Sequence, residues 1–301
     1  MKKSFPLLIS FFLLPICLPI SKKQQLLSLS KKYFPENYTV LKEYGETDIN
    51  ELAHGNTVKD FITDVSTVVH EGYHHYLGLH SSYYDTAMLY RINDTLSFSV
   101  KKIKTFPSRE ISNIVPVAIQ KKIFRYNTYI SEANKYHVTQ QFGILGLLEE
   151  CVAYYQSFAT EVALFGYYKD NYGWKNPESW MNYLGNMSSF RFGITEFELF
   201  ISWYLQYAKA KHPQTYRDIV SNTGLKKLFV FIDNENKRLA GVYDQNRAEL
   251  LKQFNGLLEV QENYIYNKRT YTGKGLFDKE VKEMNELLQK PEHKILDEFR
   301  K

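Results

Sequence analysis

The chain has 301 residues, 44% of them hydrophobic and 16% aromatic, enough for one large domain with its own apolar core. That composition excludes a disordered chain and a collagen-like fibre, and two cysteines are too few for a disulfide scaffold. The 38 basic and 33 acidic residues leave a formal charge of +5 with no dense Lys/Arg stripe, so nucleic acid is not an expected partner.

Lys2 and Lys3 precede an uncharged, largely apolar stretch over residues 5–20, and Lys22 and Lys23 follow it. This pattern matches a secretory signal over residues 1–21, whereas Pro6, Pro15 and Pro19 leave it too short and broken for a spanning helix. Export is therefore expected, with membrane contact only through this segment if it stays attached. Leu14-Pro15-Ile16 lacks the small residue that a lipidation signal places beside its cysteine, so lipid on Cys17 is not expected. Cys151 is then the only cysteine left, and within its apolar helical pattern it reads as a small buried hydrophobe. Sequons at Asn37, Asn93 and Asn186 matter only in a host that glycosylates exported proteins.

Residues 22–56 are polar and mixed, with Pro35 and Gly45 interrupting any long element. From Thr57 a helix is signalled. Thr57 and Asp60 resemble a capping box, and Val58, Phe61, Ile62, Val65, Val69, Tyr73 and Tyr76 recur on one face. Residues 83–92 and 95–103 have strand composition around Asn93-Asp94, which predicts a hairpin. After Pro107 helical spacing dominates, over residues 115–135, 142–166, 177–190, 194–211, 214–232 and 235–262. The charged residues 276–301 are expected as a peripheral helix or tail. The expected fold is a single domain over residues 22–275, mainly α with a small β-hairpin (α+β).

The chemistry-bearing pattern is His70-Glu71-Gly72-Tyr73-His74, on the best-signalled helix. Residues four apart lie about 40° apart around a helix, so both imidazoles can reach one ion while Glu71 stands beside them. On a helical wheel His70 and His74 fall roughly opposite Val58, Val65, Val69 and Tyr76, placing one face in the core and the other on a cleft. His75 is rotated away and reads as a surface or outer residue. Two histidines are not a site, because a catalytic zinc takes three protein ligands and keeps one position for water.

A second apolar helix carries Glu149-Glu150-Cys151-Val152-Ala153, with Gly146 and Ala153 small enough to let another helix approach. Leu148, Cys151, Val152, Tyr155 and Ala159 mark its buried face, while Glu150, Ala153 and Ser157 point another way. Here the sequence resembles the zincin metallopeptidases of the gluzincin type, in which a helix with H-E-x-x-H faces another whose Glu-x-x-Ala completes the zinc sphere. The resemblance covers these two short segments only. It implies a core of two facing helices, one Zn2+ per chain, His70, His74 and Glu150 as ligands, and Glu71 as general base to the zinc-bound water. Glu149 is the alternative carboxylate. His80 offers a different completion, since His70, His74 and His80 share the spacing of the metzincin signature, with Met88 near the place of a Met-turn. Leu77, however, stands where that signature has glycine, and residues 22–56 are too few for the sheet that precedes a metzincin helix.

A hydrogen-bond donor to the developing oxyanion is also required. Tyr154, Tyr155, Tyr204 and His212 are the candidates, with Tyr204 on a later helix placed to cross the cleft, and Arg191 is a candidate for a substrate carboxylate. The expected activity is exported, zinc-dependent hydrolysis of a peptide or protein substrate. The alternatives are a metzincin-type peptidase and a non-catalytic binding protein on the same scaffold.

Overall fold

A computed structural model describes residues 20–81, 85–256, 258–260, 263–272 and 276–300, so all but the end of the expected signal segment, Cys17 included, lies outside the described residues. Ser21 opens α1 (Lys22–Tyr33) with a reciprocal cap: its hydroxyl accepts from Gln24 N, and the Gln24 side chain accepts from Ser21 N. Pro35 and Gly45 do interrupt the chain, but the stretches beyond them are helical, α2 (Tyr38–Glu43) and α3 (Glu46–Leu52). Leu26, Leu29, Val40, Leu41 and Ile49 are buried, which organises this polar-looking region against the core.

The Thr57–Asp60 capping box forms as expected. The helix it opens is broken, however. α4 (Val58–Phe61) passes through a 3-10 turn at Ile62–Asp64 before α5 (Val65–His80) begins. Asp64 accepts from His54 N at 2.9 Å and contacts its Nδ1 at 3.0 Å, tying the turn to the preceding loop. Phe61, Ile62, Val65, Val69 and Tyr73 all stay buried, so the apolar face survives the break.

Residues 83 and 84 of the expected first strand lie outside the described residues; within these the hairpin is shorter than expected, β1 (Ala87–Arg91) pairing antiparallel with β2 (Ser97–Lys101), Leu89 opposite Ser99. Asn93 Oδ1 accepts from Thr95 N and Leu96 N and so closes the turn. The long helix expected over residues 115–135 is absent. Only α6 (Val117–Gln120) and a π-turn at Asn127–Ser131 form there. The chain between them is anchored instead, because Arg125 N and Nη1 both bind Glu196, at 3.1 and 2.7 Å. A buried two-point ion pair of this kind outweighs local helix propensity.

After α7 (Val138–Gln141) come the long elements, α8 (Ile144–Tyr172) and α9 (Pro177–Lys211). The expected interruption between residues 190 and 194 does not occur. A Cβ on Gly193 would lie 2.7 Å from the Tyr154 ring and 3.1 Å from the Arg125 guanidinium, so this glycine is a notch for neighbours within one continuous helix. α10 (Pro213–Ser221) and α11 (Thr223–Gln253) follow, divided at Asn222. α8 packs against α5, α9 and α11 and is buried on almost every side. Cys151 lies within it at 1% exposure, as expected of a buried apolar residue. Full burial of a side chain such as Phe158 contributes roughly 1.5–3 kcal/mol.

The helical pattern expected to residue 262 ends at Phe254, and Gly256 adopts φ 87° to turn the chain into a meander of β3 (Leu258–Val260), β4 (Asn263–Tyr266) and β5 (Arg269–Thr272). The charged C-terminal segment is helical: α12 (Asp278–Leu288) and α13 (Ile295–Arg300) pack on α9 and bury Val281, Met284, Leu296 and Phe299. Among the described residues no helix is long and apolar enough to cross a membrane. Asn37 and Asn186 are buried, and their Nδ2 atoms bind Thr160 and Glu161, so this packing leaves no room for glycans on them.

Candidate metal centre

α5 turns Val65, Val68, Val69 and Tyr73 inward, and His70, Glu71, His74 and the buried Leu77 line a cleft of about 460 Å³ on its other side. α8 faces that side. Gly146, read as admitting another helix, meets the backbone of Val138 and Thr139 at the start of α7, whereas the Ser157 hydroxyl donates to Ser66 O on α5 at 3.0 Å. Glu150, one turn N-terminal to Ala153 and two to Ser157, is thereby carried to the histidines.

Glu150 Oε2 lies 3.6 Å from His70 Nε2 and 3.4 Å from His74 Nε2, and the two Nε2 atoms are 3.3 Å apart. Glu150 is only 3% exposed, and its buried Oε2 has no hydrogen-bond partner. A buried unpaired carboxylate oxygen is costly unless a cation or proton faces it. Ligand bonds of about 2.0–2.1 Å in tetrahedral array put donor atoms roughly 3.3–3.4 Å apart, close to the separations found. These residues could hold a metal ion.

Glu149 stands outside the His70, His74 and Glu150 group. Its Oε1 contacts His74 Nδ1 at 2.9 Å, the outer bond that fixes the tautomer and leaves Nε2 facing the centre. Burial opposes a charge on His74, but Glu150 and Glu149 prevail and hold its pKa well above the usual imidazole value. Burial likewise opposes the Glu150 carboxylate, and both imidazoles outweigh it, keeping Glu150 well below the usual carboxylate range.

Glu71 is exposed and lines the cleft beside His70 and His74. It also borders a second cavity of about 310 Å³, together with His70, Arg125, Tyr129 and Tyr154. There the Tyr154 ring stands edge-on to His70 with centroids 4.7 Å apart. Its hydroxyl accepts from Arg125 Nε at 2.8 Å and lies 3.3 Å from the Tyr129 hydroxyl.

Other sequence candidates lie elsewhere. Tyr204, expected to cross the cleft, is fully buried; its hydroxyl accepts from Phe106 N at 2.9 Å and donates to Phe106 O at 2.8 Å. It cannot donate to a substrate there. His212 stacks on the same Phe106 and contacts Glu110, and Tyr155 packs towards Phe231. Arg191 pairs with Asp244 and Asp278 on a different surface. His80 contacts Glu43 at 2.7 Å and is exposed, outside the His70, His74 and Glu150 group; Met88, by contrast, does line the cleft, from β1.

Among the cleft residues that escaped the sequence reading are Tyr129 and His137. Tyr129 belongs to the π-turn, and His137 precedes α7 with Nε2 3.4 Å from Glu150 Oε1. Neither carries a local motif, and only the folding of the 108–141 segment over α8 brings them in. Comparison with models of known protein families, with curated proteins and with solved structures finds no match.

Proposed function

We propose that the chain is an exported zinc-dependent hydrolase cleaving peptide bonds, with His70, His74 and Glu150 holding the ion. The observation that carries this reading is the buried, unpaired Oε2 of Glu150 facing two Nε2 atoms, with Glu71 beside them in an open cleft. Two imidazoles and a carboxylate are a donor set suited to catalytic zinc, which supplies carbonyl polarisation and a lowered pKa for the attacking water. Glu71 takes the proton from that water and delivers it to the leaving amine. Arg125 Nε donates to the Tyr154 hydroxyl, which lies 3.3 Å from the Tyr129 hydroxyl, and either phenol can donate to the other. Tyr129 lines the cleft, and its hydroxyl serves the developing oxyanion in the role first considered for Tyr204.

The test is zinc content and hydrolysis of a mixed quenched-fluorescent peptide pool. Wild type is expected to hold about one zinc per chain and to hydrolyse the pool. Glu71→Gln should keep the zinc and lose hydrolysis by at least about 100-fold, as expected on removing a general base. Retained hydrolysis in Glu71→Gln rejects that role, and a zinc-loaded wild type inert on the pool points to a binding protein.

A further inference from the structure

We propose that the second cavity beside Glu71 is a subsite for a cationic side chain of the substrate, so that cleavage falls next to lysine or arginine. This deepens the hydrolase reading above and rests on it for the position of the scissile bond. The cavity shares His70, Glu71 and Tyr129 with the metal cleft, so a group held in it lies next to the reacting centre.

The acceptors of the cavity set the charge of its ligand. Asn186 lines it and is 8% exposed. Its Nδ2 donates to Thr63 O at 3.1 Å and to Glu161 Oε1 at 2.8 Å, two acceptors that fix the orientation of the amide. Oδ1 is thereby turned away from both, and among the described residues nothing donates to it. A buried carbonyl oxygen of this kind calls for a donor from the ligand. Asp64 borders the same cavity. Its Oδ2 is engaged by His54 N and Nδ1, whereas among the described residues nothing donates to its Oδ1.

Arg125 does not reverse this balance. Its nitrogens are all engaged: Nε with Tyr154, Nη1 with Glu196 at 2.7 Å, and Nη2 with the Ser189 carbonyl and hydroxyl. The buried Glu196 matches its charge, so Asp64 and Glu71 leave the cavity negative. A substrate carboxylate would meet like charge there.

Length selects a side chain over a chain terminus. Asp64 holds the N-cap position of α5 and Glu71 is seven residues on, so their backbones are about 10 Å apart along the axis. A free α-amine lies only about 2.5 Å from the carbonyl carbon of its own residue and falls short of Asp64. The four-carbon stem of lysine carries its ammonium roughly 6 Å further. Phe190 and the Tyr154 ring, with centroids 6.2 Å apart, give that stem an apolar wall.

The experiment uses the full zinc-loaded chain and quenched-fluorescent peptides with blocked amino termini that differ at one position: lysine, arginine, norleucine or glutamate. Cleavage is located by mass spectrometry. The lysine and arginine peptides should be cut beside that position with kcat/KM at least about 10-fold above norleucine, and glutamate should fall below it. Asp64→Asn should remove most of this advantage and leave the norleucine peptide within about twofold of wild type. Thr67→Lys, an exposed change on the cavity wall, should do the same by placing a cation there. The proposal falls if norleucine matches lysine in wild type, or if either variant keeps the preference. It falls too if a norleucine peptide with a free amino terminus gains as much as lysine, which would put the α-amine in the cavity instead. A second readout needs no hydrolysis: fluorescence anisotropy of the same peptides on the metal-free full chain. Equal binding of lysine and norleucine peptides overturns the subsite. A lysine preference that Asp64→Asn abolishes, with no peptide cut by zinc-loaded wild type, upholds the subsite and overturns the hydrolase reading.

Discussion

Glu150→Gln changes shape hardly at all and removes one negative charge from between two imidazoles, so it isolates the electrostatic part of ion binding. In the native chain Oε2 lies within 3.6 Å of both histidine nitrogens. Zinc centres built from side chains bind with about 10–16 kcal/mol in total, so one donor in three or four accounts for roughly 3–4 kcal/mol. An amide oxygen retains part of that, and about 3 kcal/mol is the expected loss, equivalent to some two orders of magnitude in Kd. Chelator competition on the metal-free chain reads this directly. Melting gives a second measure: zinc at about 100 times the wild-type Kd should stabilise wild type by roughly 2.7 kcal/mol but the variant by only about 0.4 kcal/mol. His80→Ala is the control. Six residues beyond His74, it is about 9 Å further along the helix axis and about 240° round it, paired with Glu43. Unchanged zinc affinity in Glu150→Gln, or a loss of the same size in His80→Ala, would refute the assigned ligand set.

Tyr204→Phe should leave zinc binding and any hydrolysis intact while lowering stability by roughly 1–3 kcal/mol in urea melts, because it deletes the buried bridge to Phe106 N and O. Gly146→Ala should destabilise by about 2–4 kcal/mol, since its Cβ meets backbone at Val138 O and Thr139 N, which cannot move aside as a flexible side chain would. Wild-type stability in that assay would contradict the contact. Burial and the nearby Asp233 push the Glu198 carboxyl up to about 7, so the folded chain holds a proton there that the unfolded chain has released. Its stabilising contribution is complete below the unfolded carboxyl range and is lost as pH rises towards 7. Glu198→Gln should therefore gain on wild type between pH 5 and pH 8, by on the order of 2 kcal/mol given the partial exposure of the side chain. Parallel stability–pH curves for the two proteins would exclude it.

The legible part of this protein was its local part. An interval of four on a helix places His70 and His74 together whatever the rest of the chain does, and Glu71 comes with them. The Thr57 cap, the Asn93 turn and the buried Cys151 are likewise written in neighbouring residues. The choice between adjacent glutamates on α8 was open at that level. The approach of α8 to α5 places Glu150 against both imidazoles and Glu149 at the back of His74 across 75 positions. The same packing decides where propensity is overruled. Arg125, held at two points by a buried carboxylate, abandons the helix its surroundings suggest, and Tyr204 spends its hydroxyl on Phe106. His137 and Tyr129 reach the cleft with no sequence signal at all. Backbone geometry over one helical turn is set by bonded neighbours, whereas the partner of a buried polar atom is set by what the fold leaves opposite it.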